Sequence, residues 1–262
     1  MSEIRHVTVI GAGVMGAGIA AQVANAGVSV SLLDVVPKGA SNRNVVAENA
    51  LKKILSTNPA PLMDPRFSKR IVAGNIEDNL ASVGDSDLII EAVIEDIKIK
   101  QEIYAEIEAI RKIGSIVTSN TSTIPLSQLT NGLPQSFCQD FMISHFFNPP
   151  RYMRLLELVV GPETNQHVAN RLRLFADKTL GKVVVDCNDT PGFIANRIGI
   201  FWIEAAVRFA LEMGINVEEA DAIIGKPMGI PKTGVFGLLL SLIHISEPTR
   251  RTPISYAVFC LK

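Results

Sequence analysis

The sequence predicts a doubly wound α/β fold built on a mainly parallel sheet, followed by an all-helical segment. Three observations lead there. Short apolar runs alternate with longer stretches of helical spacing as far as Asp186, the pattern of a parallel sheet with helices on both faces. The first run leads straight into Gly11-Ala12-Gly13-Val14-Met15-Gly16. Beyond Asp189 the strand signals stop and apolar residues recur at helical spacing. In 262 residues, hydrophobic side chains make up 47% and charged ones 19%, enough apolar surface to bury both faces of such a sheet.

The elements follow in order. His6 to Ile10 (HVTVI) reads as a buried strand. The glycine turn comes next, then an Ala-rich helix from Ala17 to Asn25. Val28 to Leu33 is a second strand, closed by Asp34. Ser41 to Leu55 reads as a helix carrying Lys52 and Lys53 near its end. Ser56 to Arg66 is proline-rich and reads as a loop or helix hairpin. Asp87 to Ala92 is a strand, Ile97 to Ile113 a helix, and Ile116 to Ser119 a strand that opens into the polar turn Asn120 to Thr123. Phe141 to Ser144 is a strand ending at His145. Leu155 to Val160 is a strand, Asn165 to Leu180 a helix, and Lys182 to Asp186 the last strand. Thr190-Pro191-Gly192 then reads as a helix start, followed by helices over Phe193 to Met213 and Val217 to Ile224. A domain boundary is expected near residue 188, separating residues 1–188 from the helices that begin at 189; the family resemblance given below implies that this helical domain is incomplete and ends at 239.

The net charge of −1 and the lack of a long basic run argue against nucleic acid as a partner. Cys138, Cys187 and Cys260 are far apart, with no metal-ligand spacing, and read as free thiols in a reducing compartment. No metal is expected. The N-terminus enters a strand directly, without the apolar stretch of a secretory signal or membrane span, so a cytoplasmic location is expected.

The glycine turn fits GxGxxG in the context the pattern requires: after a strand, opening a helix, and before a strand that ends in an acid. This is the Rossmann-type fingerprint. Gly11 allows the tight turn, Gly13 lets backbone N–H groups (with those of Val14 and Met15 beside it) approach a pyrophosphate, and Gly16 permits close helix–strand packing. Asp34 can accept from both adenosine ribose hydroxyls, and its charge would repel a 2′-phosphate, which favours NAD over NADP.

A cofactor is not a reaction. Ser122 and His145 lie at the C-terminal ends of predicted strands, where open α/β sheets bind ligands. Glu157 stands inside the apolar run Leu155 to Val160. A buried carboxylate needs a partner; His145 is a reasonable one, with an exposed edge glutamate and a satisfied core histidine as the plain alternatives.

These blocks, from GAGVMGAGIA through EAVIEDIKIK, SNTS, HFFNPP and LLELV to DTPGFIANRI, make the sequence resemble the 3-hydroxyacyl-CoA dehydrogenases over roughly residues 4 to 239. FNPPRYMRLLEL looks most like the large bacterial proteins that carry this dehydrogenase beside an enoyl-CoA hydratase module. The resemblance implies NAD-dependent oxidation of (S)-3-hydroxyacyl-CoA to 3-oxoacyl-CoA in fatty-acid β-oxidation. It makes His145 the general base, with Glu157 orienting it as a dyad, and sets Ser122 and Asn196 on the substrate oxygens. Glu95, Lys100, Ser122 and Asn148 match positions that contact NAD. Glu95 and Lys100 also read as ordinary charges flanking a helix, and Asn148 as a turn residue before Pro149. Lys52 and Lys53 match a CoA-phosphate role less well than plain solvated lysines. The family implies a homo-oligomer or a fusion. Two other functions stay open: a related 3-hydroxy-acid dehydrogenase, which would rely on a lysine not found here, and an NAD-binding fragment without turnover.

From about Leu240 the chain departs from the family pattern. LSLIHISEPTR and ISYAVFCL look like translated sequencing adapter, so residues 240–262 are expected to be a non-native tail. With the helical domain incomplete, Ile194, Ile198, Phe201, Trp202 and Phe209 are expected to expose apolar surface.

Overall fold

The computed structural model describes residues 3–229 and 234–246; most of the expected tail lies outside them. The chain divides into two compact units, residues 1–193 and 194–262.

The first unit is built on an eight-stranded sheet. In chain order its elements are β1 (His6–Ile10), α1 (Val14–Asn25), β2 (Ser29–Asp34), α2 (Val45–Ser56), β3 (Ile71–Asn75), α3 (Ile76–Asn79), β4 (Leu88–Glu91), α4 (Ile97–Ile110), β5 (Ile116–Ser119), α5 (Leu126–Leu129), α6 (Gln135–Asp140), β6 (Phe141–Phe146), β7 (Leu155–Val160), α7 (Gln166–Leu174) and β8 (Val183–Cys187). The strand order is β3-β2-β1-β4-β5-β6-β7-β8. The chain leaves β1 first to one side and then crosses back to β4, so a crevice opens past the C-terminal ends of β1 and β4, the place where such sheets bind ligands. Two apolar clusters fill the space between sheet and helices, one centred on α1, Val9, Leu32 and Ile90, the other on Tyr104, Phe137, Phe141 and Ile143.

Sequence and structure differ in several respects, of which four bear on the fold. Ile71–Asn75 forms β3, a strand that the periodicity did not signal. It is an outer strand, with Val72 67% exposed, so it lacks a continuous apolar run. The expected helix over Asn165 to Leu180 stops at Leu174 and continues as a π turn over Phe175–Thr179, where Leu180 N–H reaches Phe175 O at 3.0 Å. β6 and β7 run antiparallel, while every other neighbouring pair is parallel. Residues 189–193 belong with the sheet unit and do not start the helix. Leu126 N–H donates to Asp189 Oδ1 at 2.9 Å, Gly192 N–H to Ser122 O at 3.2 Å, and Phe193, at φ 46°, is buried in the second cluster.

The second unit contains α8 (Ala195–Glu212), α9 (Val217–Ile223) and α10 (Gly234–Ser246). Asn216 and Glu219 form a reciprocal capping box on α9. Asp221 accepts from Phe236 N–H at 2.7 Å and Gly237 N–H at 3.1 Å, so one carboxylate closes the start of α10. Ile203, Ala206 and Val235 form its core, with Trp202 packed against them. Trp202 is therefore not among the exposed residues, whereas Ile194, Ile198, Phe201 and Phe209 are.

Candidate active site

Strand β1 delivers the chain into the glycine turn, and packing explains two of its glycines. Gly11 sits at φ 103°, and a Cβ there would lie 2.5 Å from Ala92 O. A Cβ on Gly16 would lie 1.8 Å from Gly11 O. Gly13 differs: no protein atom comes within 4 Å of where its Cβ would be. Nothing in the protein requires glycine at this helix start, whereas close approach of a ligand to the backbone does. Val14 is exposed and Met15 half-buried beside it. Asp34, at the end of β2, accepts from Ala12 N–H at 2.5 Å and from Val35 N–H at 2.6 Å. A carboxylate offers about four lone-pair sites, so these two bonds orient the group and leave capacity for two ribose hydroxyls. The turn and its acid thus fit a dinucleotide.

The antiparallel β6–β7 pair sets His145 directly opposite Glu157. Cross-strand partners lie close enough for their side chains to meet, and His145 Nδ1 stands 2.8 Å from Glu157 Oε2. His145 is 6% and Glu157 0% exposed. With Nδ1–H donating to the carboxylate, Nε2 keeps its lone pair as an acceptor. The imidazole meets Phe147 edge-on at 4.6 Å and the tilted ring of Phe193 at 5.5 Å between ring centroids. The unusual backbone of Phe193 thereby presents its ring to the histidine.

Ser122 lies in the turn after β5. Its N–H donates to Glu95 Oε1 at 3.0 Å, as do Thr123 N–H at 3.2 Å, Thr123 Oγ1 at 3.0 Å and the Thr121 hydroxyl. Asn120 Oδ1 accepts from Phe146 N–H at 2.9 Å, which ties this turn to the strand that carries His145. Burial alone would raise the Glu95 pKa, but Lys100 and the donors from residues 121–123 outweigh it and hold the carboxyl below its usual range.

Behind Glu95 stands a cluster that joins Lys100 to Glu91, a residue that reading along the chain does not single out. Glu91, the last residue of β4, is 0% exposed. Its carboxylate accepts from Lys100 Nζ at 2.6 Å, Tyr104 OH at 2.5 Å, Ser119 Oγ at 2.6 Å and Val93 N–H at 2.8 Å. Burial and the neighbouring Glu91 charge push the Tyr104 phenol well above its ordinary pKa, so it stays a donor. Lys100 is 1% exposed and spans Glu91 and Glu95, 3.3 Å from the latter. It meets the site through Glu95. The signal for Glu91 resembles that for Glu157: a charge adjoining an apolar run, here at the end of Leu88-Ile89-Ile90. Asn148 is exposed, at the start of a turn in which Tyr152 and Met153 N–H bond to Pro149 O. Asn196 lies in the first turn of α8, in the second unit. Among the described residues, no group of three His, Cys, Asp or Glu is arranged to hold a metal ion, and no helix is long and apolar enough to cross a membrane.

A strand–glycine turn–helix followed by a strand that ends in an acid, within a mainly parallel sheet, is the frame of a dinucleotide-binding domain. Residues 6–190 match the model of the 3-hydroxyacyl-CoA dehydrogenase NAD binding domain, and residues 192–247 that of the family's C-terminal domain. The chain therefore belongs to the 3-hydroxyacyl-CoA dehydrogenase family, and its first unit is an NAD-binding domain. A putative fatty acid oxidation complex trifunctional enzyme of Rickettsia felis is 44% identical over 237 residues, which is 90% of this chain and 33% of that protein. A probable 3-hydroxyacyl-CoA dehydrogenase of Deinococcus radiodurans is 40% identical over 234 residues, covering 89% and 68%. Among solved structures, Mycobacterium tuberculosis FadB2 superposes with a TM-score of 0.74 at 31% identity, covering 88% of this chain and 80% of that one. The chain spans about a third of the length of the Rickettsia relative.

Proposed function

We propose that this chain carries the NAD site and the acid–base pair for oxidation of (S)-3-hydroxyacyl-CoA to 3-oxoacyl-CoA. The observation that carries the reading is the buried His145–Glu157 pair, 2.8 Å apart, next to the turn bearing Ser122. NAD, when bound, supplies the hydride acceptor for C3 of the substrate. His145 Nε2 removes the proton of the 3-hydroxyl, and Glu157 stabilises the imidazolium that results. Ser122 Oγ donates to the substrate oxygen, where negative charge develops. Glu95 organises the Ser122 turn, Lys100 acts through Glu95, and Asn148 borders the cofactor crevice. Membership of the family supports the substrate class. The trifunctional name of the Rickettsia protein supports fusion to further modules; an enoyl-CoA hydratase module and an oligomer are part of the same proposal. The deciding experiment follows NADH absorbance with acetoacetyl-CoA, for the chain and for a version extended by a complete family C-terminal domain. NADH consumption that requires the CoA ester is expected; none from either protein would refute the reading.

Two variants probe the parts. Asp34→Ala should weaken NAD by about 10-fold or more, since bonds to a charged group contribute about 1.5–3 kcal/mol. It should also narrow the gap between NAD and NADP in a calorimetric titration. NADP binding the unmodified chain more tightly than NAD would contradict the role of Asp34. Glu157→Gln keeps the shape but removes the counter-charge of the imidazolium. Turnover should fall about 10–100-fold on the same scale, with NAD affinity unchanged. Equal losses of turnover and NAD affinity would count against a dyad.

A further inference from the structure

Glu91 has a larger claim on the site than its distance from the surface suggests. A buried carboxylate is strongly disfavoured unless paired and hydrogen-bonded. This one takes four donors, from Lys100, Tyr104, Ser119 and the Val93 amide. Well-packed apolar residues commonly replace such clusters with no loss of stability, so stability alone is a weak reason for it. Its reach is more telling. Two routes lead from Glu91 to one turn. In the first, Ser119 Oγ donates to Glu91 and accepts from Thr121 N–H at 3.1 Å. In the second, Lys100 bridges Glu91 to Glu95, and Glu95 collects the amides of Ser122 and Thr123 and the hydroxyls of Thr121 and Thr123. Both routes end on residues 121–123.

We propose that Glu91 is a positioning residue for Ser122: its buried carboxylate anchors Ser119 and Lys100, and through them Glu95 and the turn that presents the serine. Glu91 is fully buried, so it acts through these partners and not on substrate or cofactor. With glutamine there, one carboxylate oxygen becomes an amide donor and the charge facing Lys100 is gone, so the four donors can no longer all be satisfied and the link from Glu91 to the turn through Ser119 and Lys100 is weakened. The proposal rests on the reading of Ser122 as the substrate-facing serine.

The test uses the full chain and its E91Q, E95Q, E91Q/E95Q, Y104F and S119A variants. Amide hydrogen exchange of the segment spanning residues 120–124 reads the turn without any need for turnover. In E91Q the Ser122 and Thr123 amides should exchange about 10-fold faster or more, while the β1 and β4 amides keep their protection. Y104F and S119A should move the same amides by a smaller factor. With acetoacetyl-CoA and NADH, E91Q should lower kcat by about 10–100-fold, the order expected when a group is misplaced by about 1 Å. KM for acetoacetyl-CoA should stay within about threefold, because the lost interaction with the substrate oxygen is made in the transition state. E91Q/E95Q should be no slower than E95Q, because residues acting through one network are not additive. Unchanged exchange at 122–123 in E91Q overturns the proposal, and so does faster exchange across the whole sheet, which would mark a merely structural role. If E91Q does not fold, unaltered exchange in both Y104F and S119A overturns it as well. A wild-type chain without turnover would defeat the assigned reaction, and the exchange result would still decide for or against Glu91.

Discussion

Replacing His145 by Gln should lower kcat by about 10²–10⁴-fold, the range for a lost acid–base group, while NAD affinity and melting temperature hardly change. Glutamine can donate its amide to Glu157 and so keeps that buried carboxylate partnered. It cannot take up a proton. The flanking rings of Phe147 and Phe193 leave a slot for a planar group of similar size. A fall in turnover without a fall in stability would therefore report chemistry and not packing. Single-turnover kinetics with acetoacetyl-CoA and NADH, alongside thermal melting and an NADH titration, separates the two. Near-wild-type turnover would show that another group moves the proton, and the reading of the whole site would then fail.

The parts of this site that are legible in sequence are those set by neighbours in the chain. The glycine turn and Asp34 are local features, and their spacing along a strand–turn–helix–strand unit is enough to place them. Glu157 is legible because a charge stands out in an apolar strand. Glu91 carries a similar signal, but its role is not legible along the chain because its partners come from three different elements: α4, β5 and the loop after β4. The reversal of β7 was equally hidden. Whether a strand runs parallel or antiparallel is decided by its connection, and a one-residue slip in register would turn Glu157 to the opposite face from His145. The edge strand β3 had too little apolar periodicity to be seen, and the positive φ of Phe193 depends on a fold that packs its ring against His145.

The glycines of the dinucleotide turn offer the second large effect, because the structure gives two of them different reasons to be glycine. Gly16→Ala should abolish measurable NAD binding and lower the melting temperature. Its Cβ would lie 1.8 Å from Gly11 O, and the turn cannot retreat, since Gly11 already closes on Ala92 O. The clash is backbone against side chain, with no flexible group to give way, and overpacking of this kind costs about 1–3 kcal/mol or more. Gly13→Ala should behave otherwise. Its φ of −64° suits alanine, and no protein atom lies within 4 Å of the added methyl. The chain should therefore fold with an unchanged melting temperature. NAD should nonetheless bind about 10–100-fold more weakly, or by about 1.4–2.7 kcal/mol, because the methyl occupies the space through which a phosphate approaches the start of α1. Calorimetric titration with NAD together with thermal melting distinguishes the pair. If Gly13→Ala binds NAD as tightly as the parent chain, the open face of that residue is not where the cofactor lies, and the crevice past β1 and β4 would have to be assigned to something else.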